Sequence, residues 1–91
     1  MYKIKTTNKF EKDFVNCLKR KLDSNALGEV LEILEVSGKL PRKYKSHILS
    51  GKFNGYRECH IKPDWLLIWR QNDITKIIEL ARTGTHSDLF K

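Results

Sequence analysis

The run Lys62-Pro63-Asp64, Trp65-Leu66-Leu67-Ile68-Trp69-Arg70, Gln71-Asn72-Asp73 decides the architecture. Its middle is apolar at consecutive positions, so a strand there offers both faces for burial and belongs in the interior of a sheet. The triplets on either side are turn chemistry, with proline fixing φ and Asp or Asn bonding to nearby backbone. Short turns of this kind join antiparallel neighbours. The spacing therefore predicts three consecutive strands: about Phe53–Ile61, Trp65–Arg70 and Ile74–Ala81. In the middle strand Trp65 and Trp69 share one face, and core packing is the reading preferred for them.

Toward the N-terminus the period changes. Residues 1–6 alternate, with Tyr2, Ile4 and Thr6 opposite Lys3 and Lys5, which predicts a short first strand. Phe10, Phe14, Cys17, Leu18 and Leu22 follow helical spacing over roughly 9–22, with Asn8 as the expected N-cap. Asp23-Ser24-Asn25 breaks that helix and caps a second one, striped by Leu27, Val30, Leu31 and Leu34 and stopped by Gly38 and Pro41. Residues 39–52 have no clear period. The element order βααβββ predicts an α+β fold, with two helices packed on one face of a small, mainly antiparallel sheet. The opposite face is left free to bind.

Ninety-one residues make one domain, spanning 1–91. A chain this short buries only about 60–65% of its extended surface, so a functional site should be a shallow groove. No apolar run approaches the roughly 18–20 residues that span a bilayer, and Met1-Tyr2-Lys3-Ile4-Lys5 lacks a signal-peptide core. A cytoplasmic protein without membrane contact is expected. Eighteen Lys and Arg against eleven Asp and Glu give a net charge of +7. The excess is spread over both halves of the chain, so the folded body itself attracts polyanions, nucleic acid foremost. Lys39, Arg42, Lys43 and Lys45 cluster in the aperiodic segment leading to His47 and are candidate phosphate contacts. Cys17 and Cys59 form no CxxC or zinc-finger pattern and read as reduced core residues.

Three histidines, His47, His60 and His86, lie at predicted loops or strand ends, with Asp64 four residues after His60. Strand scission of RNA needs a base for the 2′-OH, an acid for the leaving 5′ oxygen and cations for the phosphorane. Imidazoles, with a pKa of roughly 6.5, suit both proton transfers. Arg57 and Arg82 fit the charge-stabilising role or, equally simply, surface ion pairs. Histidine spacings of 13 and 26 residues match no zinc motif, and the chain offers no cage of oxygen ligands for a hard cation. No metal or cofactor is expected. Cys59 and His60 are adjacent in a strand, point to opposite faces and cannot pair as nucleophile and base. Phe90 either tucks into the sheet or stacks on an unpaired base.

Three segments taken together are distinctive: His47-Ile48-Leu49-Ser50-Gly51, Gly55-Tyr56-Arg57-Glu58-Cys59-His60-Ile61-Lys62-Pro63-Asp64-Trp65-Leu66-Leu67-Ile68, and Arg82-Thr83-Gly84-Thr85-His86-Ser87-Asp88-Leu89-Phe90. They resemble the YafQ branch of the RelE/ParE toxin superfamily, most closely over residues 44–90. The resemblance implies a RelE-like fold and the toxin half of a type II toxin–antitoxin pair, an endoribonuclease that cuts mRNA in the ribosomal A site. It implies His47 as general base, His60 and Asp64 as its orienting residues and His86 as general acid. Arg82 falls on the phosphate-stabilising position and Phe90 on one that holds the nucleotide. The implied partners are the ribosome with its mRNA and a ribbon-helix-helix antitoxin, through which alone operator DNA is met. The chain departs from the family's pattern at Ser46-His47-Ile48-Leu49, where members often have Asp-His-Pro-Leu, and at Phe53, where they have Trp. The competing reading is a basic RNA- or protein-binding module without chemistry.

Overall fold

In a computed structural model, described over residues 1–90, the chain forms a five-stranded sheet in the order β1-β5-β4-β3-β2. The strands are β1 (Lys3–Thr6), β2 (His47–Ile48), β3 (Arg57–Lys62), β4 (Trp65–Asn72) and β5 (Ile77–Gly84). β1 runs parallel to β5 and every other pairing is antiparallel. The helices are α1 (Asn8–Lys19), α2 (Ser24–Ser37) and a four-residue α3 (His86–Leu89). The expected two-layer α+β fold holds, with β4 in the middle of the sheet. Among the described residues no helix is long and apolar enough to cross a membrane.

β4 explains the two layers. Trp65, Leu67 and Trp69 point into a cluster with Phe10, Cys17, Leu27, Val30 and Leu34 from α1 and α2. Leu66 and Ile68 point the other way, to Leu89, Leu49, Phe53, Tyr56 and Ala81. The first cluster is sealed by two helices. The second is covered only by the 49–56 segment and α3. Both indole N–H groups are satisfied, Trp65 Nε1 donating to Thr83 Oγ1 at 2.8 Å and Trp69 Nε1 to Gln71 Oε1 at 2.9 Å. Cys17 and Cys59 are free and buried, and burial pushes the Cys59 thiol up to about 12.

Several boundaries differ from expectation, each for a local reason. The N-cap of α1 is Thr7, not Asn8; its hydroxyl accepts from Phe10 N at 3.2 Å and donates to the Leu80 carbonyl at 2.9 Å, tying the helix start to β5. α1 stops at Lys19 because Lys21 adopts a left-handed φ of 61°. Asp23 and Gly38 cap α2 as anticipated. The strand expected from Phe53 begins only at Arg57, since Gly51–Phe53 form a 3₁₀ turn and Gly55 takes a φ of 86°. β5 begins three residues late: Asn72 Oδ1 accepts from the amides of Ile74 and Thr75, lengthening the turn and leaving Ile74 93% exposed. Arg82-Thr83-Gly84, beyond the expected strand end at Ala81, is strand. Two elements had no expectation at all, β2 and α3.

Candidate active site

The ladder assembles the site. His47 pairs with Glu58, Glu58 with Ile68, and Ile68 with Arg82. Directly opposed residues of antiparallel strands share a face, so these four form one row across β2, β3, β4 and β5. The next row is His60, Leu66 and Gly84. Ile68 and Leu66 mark this as the face the long helices leave uncovered. With strands about 4.8 Å apart, His47 and Arg82 stand roughly 14 Å apart along the row, about the span of two nucleotides. Two bulges adjust the alternation, at Ile61 in β3 and at Ala81 in β5.

Two of the imidazoles lie against backbone carbonyls. His47 Nδ1 lies 3.1 Å from the Lys45 carbonyl and His60 Nδ1 lies 3.3 Å from the Pro63 carbonyl. A carbonyl only accepts, so Nδ1 is the donor in both contacts. His47 Nε2 is 3.4 Å from Glu58 Oε1. Glu58 is only 6% exposed, and its Oε2 is buried without a hydrogen-bond partner. An unpartnered buried carboxyl oxygen is costly to desolvate, and His47 is the histidine set against Glu58.

The register also decides which group lies against His47. The group that contacts His47 is Glu58, not His60 or Asp64, because the β2–β3 register sets His47 opposite Glu58 and leaves His60 one row further on. Asp64 sits exposed in the hairpin turn beyond the bulge, and among the described residues its side chain makes no hydrogen bond. Sequence reasoning missed Glu58. The available signal was strand alternation, which places Glu58 and His60 on one face of the same predicted strand. Glu58 also supplies the carboxylate missing beside His47 at Ser46.

At the other end of the row Arg82 is gripped by Asp13 of α1, Nε to Oδ2 at 2.6 Å and Nη2 to Oδ1 at 3.1 Å. This contact holds the guanidinium firmly charged. Asp13 uses two of the five N–H donors, so the Nη1 edge stays free for an anion. Arg57, the alternative cation, ion-pairs with Asp73 at 3.6 Å instead. His86 is the first residue of α3 and exposed, its ring 5.0 Å from that of Phe90. Phe90 packs edge-on against Phe53 at 5.8 Å yet remains 37% exposed, so it both joins the sheet's cover and presents a ring to solvent.

The basic segment divides. Lys43 and Lys45 line a cleft of about 410 Å³ with Lys62, His60, Pro63 and Glu29, whereas Lys39 and Arg42 are exposed away from it.

A mixed βααββββ sheet-and-helix core with imidazoles, a buried carboxyl group and a half-gripped arginine on its uncovered face is a small α+β domain of the RelE-like class. The profile of the family described as bacterial toxin of type II toxin-antitoxin system, YafQ, matches residues 2–91. The mRNA interferase toxin YafQ of Escherichia coli K12 is 39% identical over 88 residues, 96% of this chain and 94% of that protein. The chain belongs to the YafQ family. The crystal structure of the E. coli DinJ-YafQ toxin-antitoxin complex contains a chain 37% identical, with a TM-score of 0.88 over 99% of this chain and 98% of that one. A metal-bound toxin from Helicobacter pylori is 39% identical, with a TM-score of 0.89 over 99% of this chain and all of its own. In the present chain no three His, Cys, Asp or Glu side chains among the described residues converge to hold an ion.

Proposed function

We propose that this chain is the toxin of a type II toxin–antitoxin pair and acts as a ribosome-dependent endoribonuclease, cutting mRNA at the A site by metal-independent acid–base chemistry. The observation that carries the reading is the row His47–Glu58–Ile68–Arg82, with the His86 helix beside it on the same uncovered face. His47 Nε2 takes the proton of the 2′-OH, and Glu58 Oε1 stabilises the imidazolium so formed. The 2′ oxygen bonds to phosphorus as the bond from phosphorus to the 5′ oxygen breaks. His86 gives its proton to that departing oxygen. The free edge of Arg82 meets the charge that builds on the phosphorane. Phe90 stacks against the nucleotide, and Lys43 and Lys45, with Lys39 and Arg42 further out, hold the flanking backbone. His60 and Asp64 are assigned, on the family resemblance, to the orientation of the base.

The E. coli relative, named an mRNA interferase, supports the activity, and the DinJ-YafQ complex supports an antitoxin partner. That partner is assigned to the ribbon-helix-helix type, which would bring operator DNA to the complex. The cytoplasm, where ribosomes are, is the assigned location.

Programmed ribosomes test the proposal. The protein should cleave mRNA in the A site, and inducing it without its antitoxin should arrest growth. His86→Ala should cut the rate by about 10²- to 10⁴-fold, the usual worth of a positioned acid, and relieve the arrest at equal soluble expression. Tight ribosome binding with no cleavage by the wild type would favour a binding module without chemistry.

A further inference from the structure

Resting on the proposed acid role of His86, we infer that Arg20, the C-cap of α1, is a positioning residue for that histidine, acting through Asp88. His86 opens a four-residue helix, too short to hold its own shape in water. What fixes it is a small set of contacts, and Asp88 is at their centre. Arg20 Nη1 donates to Asp88 Oδ2 at 2.7 Å and Nη2 to Oδ1 at 3.0 Å, a two-pronged grip. Thr85 N donates to the same Oδ2 at 2.9 Å, while Asp88 N donates back to Thr85 Oγ1 at 3.2 Å, closing a capping box around His86.

The backbone is shaped to let that carboxylate in. A Cβ at Gly84 would lie 2.9 Å from Asp88 Oδ2, so only glycine at the end of β5 allows the approach. Leu89, buried against Leu66 and Ile68, pins the helix on its other side. Asp88 therefore answers to two anchors: the cap, which sets the helix, and Arg20, which ties that helix to α1.

The tie also joins the two ends of the site. Asp13 and Arg20 are seven residues apart, two turns of α1, and so share a face. One grips Arg82 and the other Asp88. All four side chains line one polar cavity of about 210 Å³ with Asn16, Cys17 and Thr83. α1 thus presents an acid and a base, in that order, to a base and an acid on the strand and helix that carry the chemistry. The Arg20–Asp88 pair is half exposed, with side chains 47% and 31% accessible. It contributes little to global stability, so its effect falls on placement of His86.

The test uses the whole chain with Arg20→Ala, Arg20→Lys, Asp88→Asn and the Arg20→Ala/Asp88→Asn double variant. The first readout needs no activity: hydrogen exchange of the Leu89 and Phe90 amides, which donate to the Thr85 and His86 carbonyls, together with the ring resonances of His86. Each single variant should lower that protection about 3- to 10-fold and shift the His86 ring signals, with Arg20→Lys between it and wild type. In ribosome-programmed cleavage kcat should fall by about the same factor with KM within twofold, and the double variant should lose no more than Asp88→Asn alone. Unchanged amide protection, additive losses, or a raised KM at constant kcat would overturn the inference, the last by making Arg20 a direct RNA ligand. Asp88→Asn keeps its shape and frees Arg20, so it decides the matter even if Arg20→Ala folds poorly. A wild type that cuts nothing would remove the proposed activity but leave the exchange result to stand for or against the tether.

Discussion

The two faces of β4 are built from the same kinds of residue and serve opposite ends. On one, Trp65, Leu67 and Trp69 are sealed under α1 and α2 with every indole N–H satisfied. On the other, Leu66 and Ile68 are only a floor, and their row-mates are His47, Glu58, His60 and Arg82. The sealed face holds the fold. The open face has a smaller apolar cluster and tolerates an unsatisfied buried carboxylate oxygen at Glu58. Polar groups that a core would exclude survive where the cover is a loop and a four-residue helix.

That contrast is broken most directly by equal truncations on the two sides. Leu67→Ala should cost about 2–5 kcal/mol, a large share of a small domain's stability. Leu89→Ala should sit at the low end of that range, because the smaller cluster can collapse around the gap. It should nonetheless lower cleavage more than Leu67→Ala does in the molecules that remain folded, since Leu89 seats the His86 helix. Denaturant titration beside single-turnover cleavage checks both. Equal activity losses per folded molecule would mean that the faces are not functionally distinct.

A smaller effect is expected from Glu58→Gln, which keeps the volume and removes the charge. An amide stabilises an imidazolium poorly, so kcat should drop about 10- to 100-fold. The fold should be retained, because the buried orphan oxygen becomes a neutral group. Asp64→Asn, which touches nothing at His47, should cost less than Glu58→Gln; the reverse order would return the orienting role to Asp64.

Much of this division was legible in the sequence. The apolar run at 65–70 placed the central strand, the two helical stripes placed the sealed layer, and the three histidines with Arg82 marked the open face. The rest was hidden for identifiable reasons. β2 is two residues long, too short to show a period, and only its register reveals Glu58 as the partner of His47. α3 exists through side-chain caps at Thr85 and Asp88 and a long-range grip from Arg20, none of which leaves a periodic trace. The late start of β5 depends on one Asn72 side chain that bonds two amides, which no periodicity shows. The Asp13–Arg82 pair spans 69 residues of sequence and could be found only in three dimensions.

The smallest effect is expected at the margin of the open face. Lys43→Gln with Lys45→Gln should weaken ribosome or RNA binding and flatten its salt dependence by about one log–log unit per lost phosphate contact. Lys39→Gln with Arg42→Gln, outside the cleft of His60, should flatten it less. Identical slopes for the two pairs would make the cluster a general cationic surface rather than part of the site.

In the proposed mechanism imidazoles on the open face move the 2′-OH proton without a metal-activated water. The most direct test is an mRNA carrying a 2′-O-methyl group at the nucleotide cleaved in the A site, compared with its unmodified form on the same magnesium-containing ribosomes. Cutting should be abolished while binding is retained. The unmodified message should end in a 2′,3′-cyclic phosphate, or the 3′-phosphate from its opening, with a 5′-hydroxyl on the other fragment. Efficient cleavage of the 2′-O-methyl message, or 5′-phosphate ends from either one, would contradict this mechanism.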